Sequence, residues 1–238
     1  MKYDCLIIDD ERLLSENTKE YLEFFNLKVD WRSGFNTALD FFNHHTTGLI
    51  LLDINLGDES GFTLCKKIRE ITKVPIIFIS ARESDDDIVW GLSVGGDDYI
   101  KKPYSLNVLL AKVNATLKRY KDANTAPDTV TDFIKRIKPG ERIDLTAIEY
   151  KLLSYLMKQP GQIISKEELF EKVWDDNFVE DNTLNVHVRR LREKIETNPS
   201  QPQYVKTVRG LGYIFDEKAA KPLSTSQSGC TSLEQDKA

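Results

Sequence analysis

Five short apolar runs punctuate the first 120 residues: CLIID (5–9), LKVDW (27–31), LILLD (49–53), PIIFIS (75–80) and DDYIK (97–101). Between them lie ERLLSENTKEYLEFF, FNTALDFFNHH, SGFTLCKKIREI and ESDDDIVWGLSV, and SLNVLLAKVNATLKRY closes the set. Runs this brief and this apolar, alternating with helical patterns, imply a parallel sheet buried under helices on both faces. The expected fold class is therefore α/β, a doubly wound five-stranded parallel sheet over residues 1–120. In such a sheet the polar residues at the strands' carboxyl ends gather in one crevice, where ligands bind. Asp9, Asp10, Asp53 and Ser80 stand at such ends, and Lys102 follows the fifth run.

The rhythm changes after KDANTAPDT, a small, polar stretch that reads as a linker over 121–130. FIKRIKPGERIDL has the look of a hairpin turning at Pro139 and Gly140. Thr146 with Glu149 three residues on has the spacing of a capping box, and Ser165 with Glu168 repeats it. A third helix is expected from about Asp181 to Glu196, and YVKTVRGLGYIF (204–215) alternates and turns at its glycines. Three helices and a terminal hairpin imply a winged helix-turn-helix α+β domain over 131–217. Residues 218–238, rich in Ser, Thr, Gln and Lys, are expected to be a disordered tail.

Composition excludes little but points somewhere. The chain has 238 residues and a net charge of -5, which alone argues against nucleic acid as a partner. Its three cysteines (Cys5, Cys65, Cys230) have no metal-ligand spacing and suit a reducing compartment. No run approaches the roughly 20 apolar residues of a membrane span. A cytoplasmic protein without membrane contact is the expectation, with any membrane signal relayed by a partner.

Asp9, Asp10 and Asp53 sharing one crevice cannot all stay ionised unaided. Either a proton is retained or a hard cation sits among them. Mg²⁺ takes oxygen ligands and is commonly completed by phosphate. One acid is then free to be a phosphoryl acceptor, forming an acyl phosphate, while Lys102 and the Ser80 hydroxyl stand beside the transferring group.

The motifs IIDDE, LLDINL, ISAR and DDYIKKPY resemble those of bacterial response-regulator receiver domains. The resemblance implies that Asp53 is phosphorylated by a sensor histidine kinase, with Asp9 and Asp10 holding Mg²⁺ and the Asn55 backbone carbonyl completing the protein ligands. It implies that Lys102 binds the phosphoryl group ahead of a cis Pro103, and that Ser80 and Tyr99 form a switch pair. Gly57 stands where the family usually has proline. An aspartyl phosphatase of the haloacid-dehalogenase type is the enzymatic rival. It needs a second aspartate where this chain has Asn55, which cannot cycle a proton.

In the third helix, Leu184, Val188, Leu191 and Ile195 form one apolar stripe, while Asn182, Val186, Arg189, Arg190 and Glu193 face the other way. Arginines suit guanine edges and phosphates, and an apolar group suits a thymine methyl. His187 and Arg192 flank that face, placed for phosphate contacts. Arg209 in VRGLGY tops the wing. A solvated amphipathic helix would look similar: Asp132–Asp216 holds 14 Lys/Arg against 14 Asp/Glu. The basic residues nevertheless cluster in the third helix and the wing.

DLTAIEYKLLSYL, GQIISKEELFEKVW, LNVHVRRLREKI and VKTVRGLGYIF resemble the OmpR/PhoB-type effector domain. That implies Arg190, Arg189 and Thr183 at the major groove, His187, Arg192 and Trp174 at the DNA backbone, and Arg209 in the wing contact. It implies RNA polymerase as the partner of 175–181, and a homodimer on direct repeats of promoter DNA. The family usually places a four-stranded sheet before these helices, for which the chain offers two or three strands. Asn182 stands where a phosphate-binding arginine is common.

Members of this type dimerise through a charged face of the receiver. Asp98 with Lys112 and Asp97 with Arg119 keep such pairs, whereas Ile88 and Val108 replace a third pair with an apolar patch. An appreciable dimer population before phosphorylation is the expectation. A phosphorylation-independent regulator with a vestigial pocket is the other reading. The phrase GGDDYIKKPYSL also resembles regulators that answer antimicrobial peptides at the cell envelope.

Overall fold

A computed structural model of the chain describes residues 1–57, 59–81, 85–125, 129–174 and 181–216. The first half is built from β1 (Cys5–Ile8), β2 (Val29–Arg32), β3 (Ile50–Asp53), β4 (Ile76–Ser80) and β5 (Asp98–Lys101). They form one sheet in the order β2-β1-β3-β4-β5, parallel throughout. Helices α1 (Arg12–Phe24), α2 (Phe35–His44), α3 (Gly61–Ile71), α4 (Asp85–Val94) and α5 (Leu106–Thr125) connect and cover it.

Strand side chains alternate between faces, so the apolar runs feed two cores at once. Leu6, Ile8, Ile50, Leu52, Ile76 and Phe78 pack on one face with Phe41 and Ile68 from α2 and α3. Cys5, Ile7, Leu51, Ile77 and Ile79 pack on the other with Leu22 of α1 and Val113 of α5. Because all five strands run parallel, every carboxyl end opens on one edge, and β1 and β3 leave Asp9 and Asp53 there side by side.

The second half contains α6 (Thr129–Ile137), α7 (Ala147–Met157), β6 (Ile163–Ile164), α8 (Lys166–Leu169) running into a π-helical turn (Phe170–Trp174), α9 (Asp181–Ile195), β7 (Val205–Val208) and β8 (Gly212–Phe215). The strands form an antiparallel sheet, β6-β8-β7, whose β7–β8 hairpin is the expected terminal one. Thr146 and Glu149 make a full capping box on α7. Leu184, Val188, Leu191 and Ile195 are buried in this half's core, as their spacing predicts.

FIKRIKPGERIDL is not a hairpin. Its first half belongs to α6, because Val130, Phe133, Ile134 and Ile137 recur at the i, i+3, i+4, i+7 spacing of a helix face. Val130, Phe133 and Ile134 are buried in the core, and Phe133 stacks edge-on against Tyr204 and Phe215. Among the described residues no strand lies between β5 and β6, so the two or three strands anticipated ahead of the effector helices are replaced by this helix. Helix α5 also continues to Thr125, well into the stretch read as a linker. The expected tail over 218–238, with Cys230, lies outside the described residues. The two halves meet where α4 packs on α9 and α5 on α7.

Truncating the buried Phe133 removes a ring from this packing. Phe133→Ala is expected to lower the stability of the C-terminal half by about 3–5 kcal/mol, measured as the loss of hydrogen-exchange protection along β8 in the full chain.

Candidate phosphoacceptor pocket and nucleic-acid interface

Lys102 follows β5 and enters a cis peptide bond with Pro103. Its Nζ donates to Asp53 Oδ2 at 2.7 Å, Asp9 Oδ2 at 2.9 Å and Glu11 Oε1 at 2.7 Å. Burial disfavours the ammonium, but the hydrogen bonds to Asp53, Glu11 and Asp9 outweigh it and hold Lys102 above the usual lysine range. Asp9 and Asp53 are buried, and burial pushes the Asp9 carboxyl up. Backbone amides steady both acids: Glu11 N–H donates to Asp9 Oδ1 and Asn55 N–H to Asp53 Oδ1. Trp31 Nε1 donates to the Asp9 carbonyl.

Asp9, Asp10 and Asp53 each present an oxygen within 4.8 Å of the others, and Asp10 is exposed. One ammonium faces four carboxylates here, Glu11 included. The donors are all oxygen, and excess negative charge remains. That chemistry fits a hard divalent cation such as Mg²⁺. A cavity of about 350 Å³, lined by Glu11, Leu14, Ala81, Lys102, Pro103 and Tyr104, opens beside the lysine. Ser80, at the end of β4, is fully buried, and Tyr99 on β5 is half-buried. Gly57 has φ +62°, a conformation closed to the proline that commonly stands there.

Sequence reasoning placed these residues on one edge because parallel strands share a direction. It missed two contributors. Glu11 is a third partner of Lys102, and Trp31 fixes the Asp9 main chain; the only signal was their proximity to a strand end.

The second candidate site is α9. Arg189 lies on the surface, its side chain 78% exposed and paired with Glu193. Arg190, its neighbour, is only 11% exposed. Its Nε lies 3.3 Å from Oε1 of the fully buried Glu149, whose other oxygen is 2.5 Å from Lys194 Nζ. Burial disfavours the Glu149 carboxylate, but Arg190 and Lys194 together pull its pKa below the usual range. Glu149 was legible only as a helix cap; its role as counter-ion to α9 depends on helix packing. Arg192 donates to the Val205 carbonyl and Thr207 Oγ1, tying α9 to β7. Arg209 is exposed in the β7–β8 turn beside Gly210 at φ +75°. Asn182 is half-buried, and residues 175–180 lie outside the described residues.

Thr183, Val186, His187 and Trp174 are buried. Val186 faces away from its own half's core together with Arg190, as its spacing predicts, and there it packs on Ile88 and Leu92 of α4. The His187 ring lies 5.5 Å from the Trp174 ring, and its Nε2–H donates to the Asp97 carbonyl at 3.0 Å. Burial, reinforced by Arg190, lowers the His187 pKa to about 4, with Asp97 and Glu149 opposing.

Several residues expected at a dimer face are engaged within the chain. Lys112 pairs with Asp98 at 2.8 Å. Asp97 pairs with Arg69 at 2.6 Å rather than with Arg119, whose guanidinium donates to the Trp174 carbonyl and to Thr116. Ile88 is buried under Val186, whereas Val108 is 54% exposed.

Residues 5–114 match the family model of the response regulator receiver domain, and residues 140–215 match that of the transcriptional regulatory protein, C terminal. The transcriptional regulatory protein YvrH of Bacillus subtilis is 38% identical over 88% of this chain and 94% of its own. The uncharacterized transcriptional regulatory protein YcbL of the same organism is 35% identical over 89% and 100%. Among solved structures, the RitR C128D mutant aligns with a TM-score of 0.73 and 26% identity, covering 90% of this chain and 99% of that one. DrrB of Thermotoga maritima, described as an OmpR/PhoB homolog, aligns at 29% identity over 91% and 100%, with a TM-score of 0.49.

The environment of His187 generates a pH dependence. An unfolded histidine titrates near 6.5 and the native one near 4, so between those values the unfolded chain binds more protons. The neutral ring's contribution is complete above pH 6.5 and is lost as pH falls toward 4. Urea unfolding of the parent should lose stability over that window by up to about 1.4 kcal/mol per pH unit more than His187→Gln does.

Proposed function

Because this chain belongs to the two-component response regulators of the OmpR/PhoB type, DNA-binding transcription regulators and not enzymes, we propose that a sensor histidine kinase phosphorylates Asp53 and thereby raises its affinity for promoter DNA. Asp9, Asp10, Asp53 and the Asn55 carbonyl would hold Mg²⁺, which would supply positive charge to offset that on a transferring phosphoryl group. Lys102 supplies the second positive charge. Ser80 and Tyr99 carry the change away from the pocket. The reading extends to a dimer on direct repeats, contact with RNA polymerase and a cytoplasmic setting. No helix among the described residues is long and apolar enough to cross a membrane.

The observation that carries this reading is the Lys102 ammonium lying 2.7 Å from Asp53 Oδ2, with Asp9 and Asp10 beside it. A lysine bound to the acceptor carboxylate is already where oxygens of an acyl phosphate would need charge. The cavity beside it leaves room for a phosphodonor. A vestigial pocket has no reason to keep every one of these groups together.

For DNA, Arg190, Arg189 and Thr183 are assigned to the major groove, His187, Arg192 and Trp174 to the phosphate backbone, and Arg209 to the wing. The exposed Arg189 and Arg209 are accessible as the chain stands, whereas Arg190, Thr183, His187 and Trp174 are covered.

DNA affinity measured with and without beryllofluoride and Mg²⁺ tests the switch. The parent chain is expected to tighten at least tenfold, about 1.4 kcal/mol, and Asp53→Ala to show no change. Strong binding indifferent to both would sink the phospho-switch. With beryllofluoride present, Arg190→Ala should weaken operator binding by about 1–3 kcal/mol and leave binding to random DNA much less affected. Equal losses on both would make it a phosphate contact.

A further inference from the structure

The cavity beside Lys102 differs in character from the acidic pocket it adjoins. Glu11, Leu14, Ala81, Lys102, Pro103 and Tyr104 line it, while Asp9, Asp10 and Asp53 do not. Leu14, Ala81, Pro103 and the Tyr104 ring make most of its wall apolar. Lys102 is the one cationic side chain of that lining, and its ammonium is engaged by Asp53, Asp9 and Glu11. The Lys102 main-chain N–H donates to the Ser80 carbonyl, Pro103 has no N–H, and the Tyr104 hydroxyl meets Thr18 Oγ1 at 3.1 Å.

Glu11 is the one anion of the lining. Its side chain is 60% exposed, against 5% for Asp9 and Asp53, so it stands at the mouth while they lie behind the ammonium. Its own N–H donates to Asp9 Oδ1, which fixes the residue at the entry to α1.

A leaving group seated in this cavity meets that carboxylate, so its charge matters. An N-phosphoimidazole enters protonated on its second nitrogen. The bond from an Asp53 oxygen to phosphorus forms as the phosphorus–nitrogen bond breaks, the electron pair returns to nitrogen, and neutral imidazole departs. With acetyl phosphate the phosphorus–oxygen bond breaks, its pair stays on oxygen, and an acetate anion is left beside Glu11. Like charges at short range disfavour the second reaction, and the engaged Lys102 offsets the departing anion poorly. Imidazole suits the space on both counts. Its ring matches the apolar wall, and its N–H is a donor for the Glu11 carboxylate.

We propose that Glu11 is a specificity-determining residue for phosphotransfer, a charge filter that favours donors with a neutral nitrogen leaving group over acyl phosphates, which release an anion. The proposal rests on Asp53 being the acceptor and deepens that reading by naming the donor class.

Phosphorylation of the full chain in Mg²⁺ is followed with N-phosphoimidazole and with acetyl phosphate, and the ratio of the two rate constants is compared between variants. Intrinsic donor reactivity cancels in that comparison, as does any change in metal affinity. Glu11→Gln keeps the shape and the main-chain bond but removes the charge. It should lower the ratio about fivefold, chiefly through faster reaction with acetyl phosphate. Leu14→Asp adds a carboxylate to the same wall and should raise the ratio, and it carries the test should Glu11→Gln not fold. A purely structural role would slow both donors together and leave the ratio alone. A ratio that stays fixed or moves the other way in a folded variant overturns the filter. Asp53→Ala separates this from failure of the premise. Labelling of Asp53→Ala equal to the parent's means that Asp53 is not the acceptor, and the proposal falls with it. Loss of labelling from both donors there, with a ratio unmoved in the other variants, removes the filter alone.

Discussion

A single ammonium organises the first half of this protein. Lys102 Nζ touches Asp9, Glu11 and Asp53, residues from two separate stretches of chain. Parallel pairing of β1 with β3 and of β4 with β5 makes that meeting possible, since it aligns the strands' carboxyl ends. Without the cation, two buried carboxylates would face each other with only backbone amides to steady them. With it, the pocket remains acidic and short of positive charge. That residual negative charge suits a divalent cation, which would not gather at a neutral cleft.

Much of this half was legible because its signals are local and its topology is forced. Leu6 and Ile8 enter one core and Cys5 and Ile7 the other because strand side chains alternate. A chain whose strands are all buried leaves few places for Asp9 and Asp53 except the common edge. Helix α6 was not legible for an equally local reason. Pro139 and Gly140 suggest a turn, and a turn between apolar residues resembles a hairpin. The helical spacing begins earlier, at Val130, inside a stretch whose small polar residues read as a linker.

The surface of α9 shows a deeper limit. Periodicity separates its core stripe from its opposite face, and the assignments of Leu184, Val188, Leu191 and Ile195 to the core all hold. Val186 and Arg190 on the other face have a chemistry that fits DNA, and also fits the end of another helix. Spacing within a helix reports that a face has a partner, never which one. The same ambiguity holds for Ile88, an apolar residue on a charged helix. A second receiver would bury it, and here Val186 of the same chain does. Glu149 escaped notice as a counter-ion because its partners on α9 lie far along the chain, and only helix packing brings them near.

The energetics of such a shared surface explain why an imperfect contact serves better than a tight one. If docked molecules outnumber open ones by about a hundred to one, apparent DNA affinity falls about a hundredfold, or about 2.7 kcal/mol. In the proposed switch, phosphorylation would need to supply only that difference, which is within the range of ordinary coupling free energies. A junction with every polar atom satisfied would be harder to open by the same modification, and the DNA-reading helix would stay shut. The unpaired Asp97 Oδ1, Trp174 Nε1 and His187 Nδ1 weaken the α4–α9 contact at the place where Arg190 and Val186 strengthen it. Opposing contributions at one surface keep such an equilibrium close to balance, where a modest coupling free energy tips it.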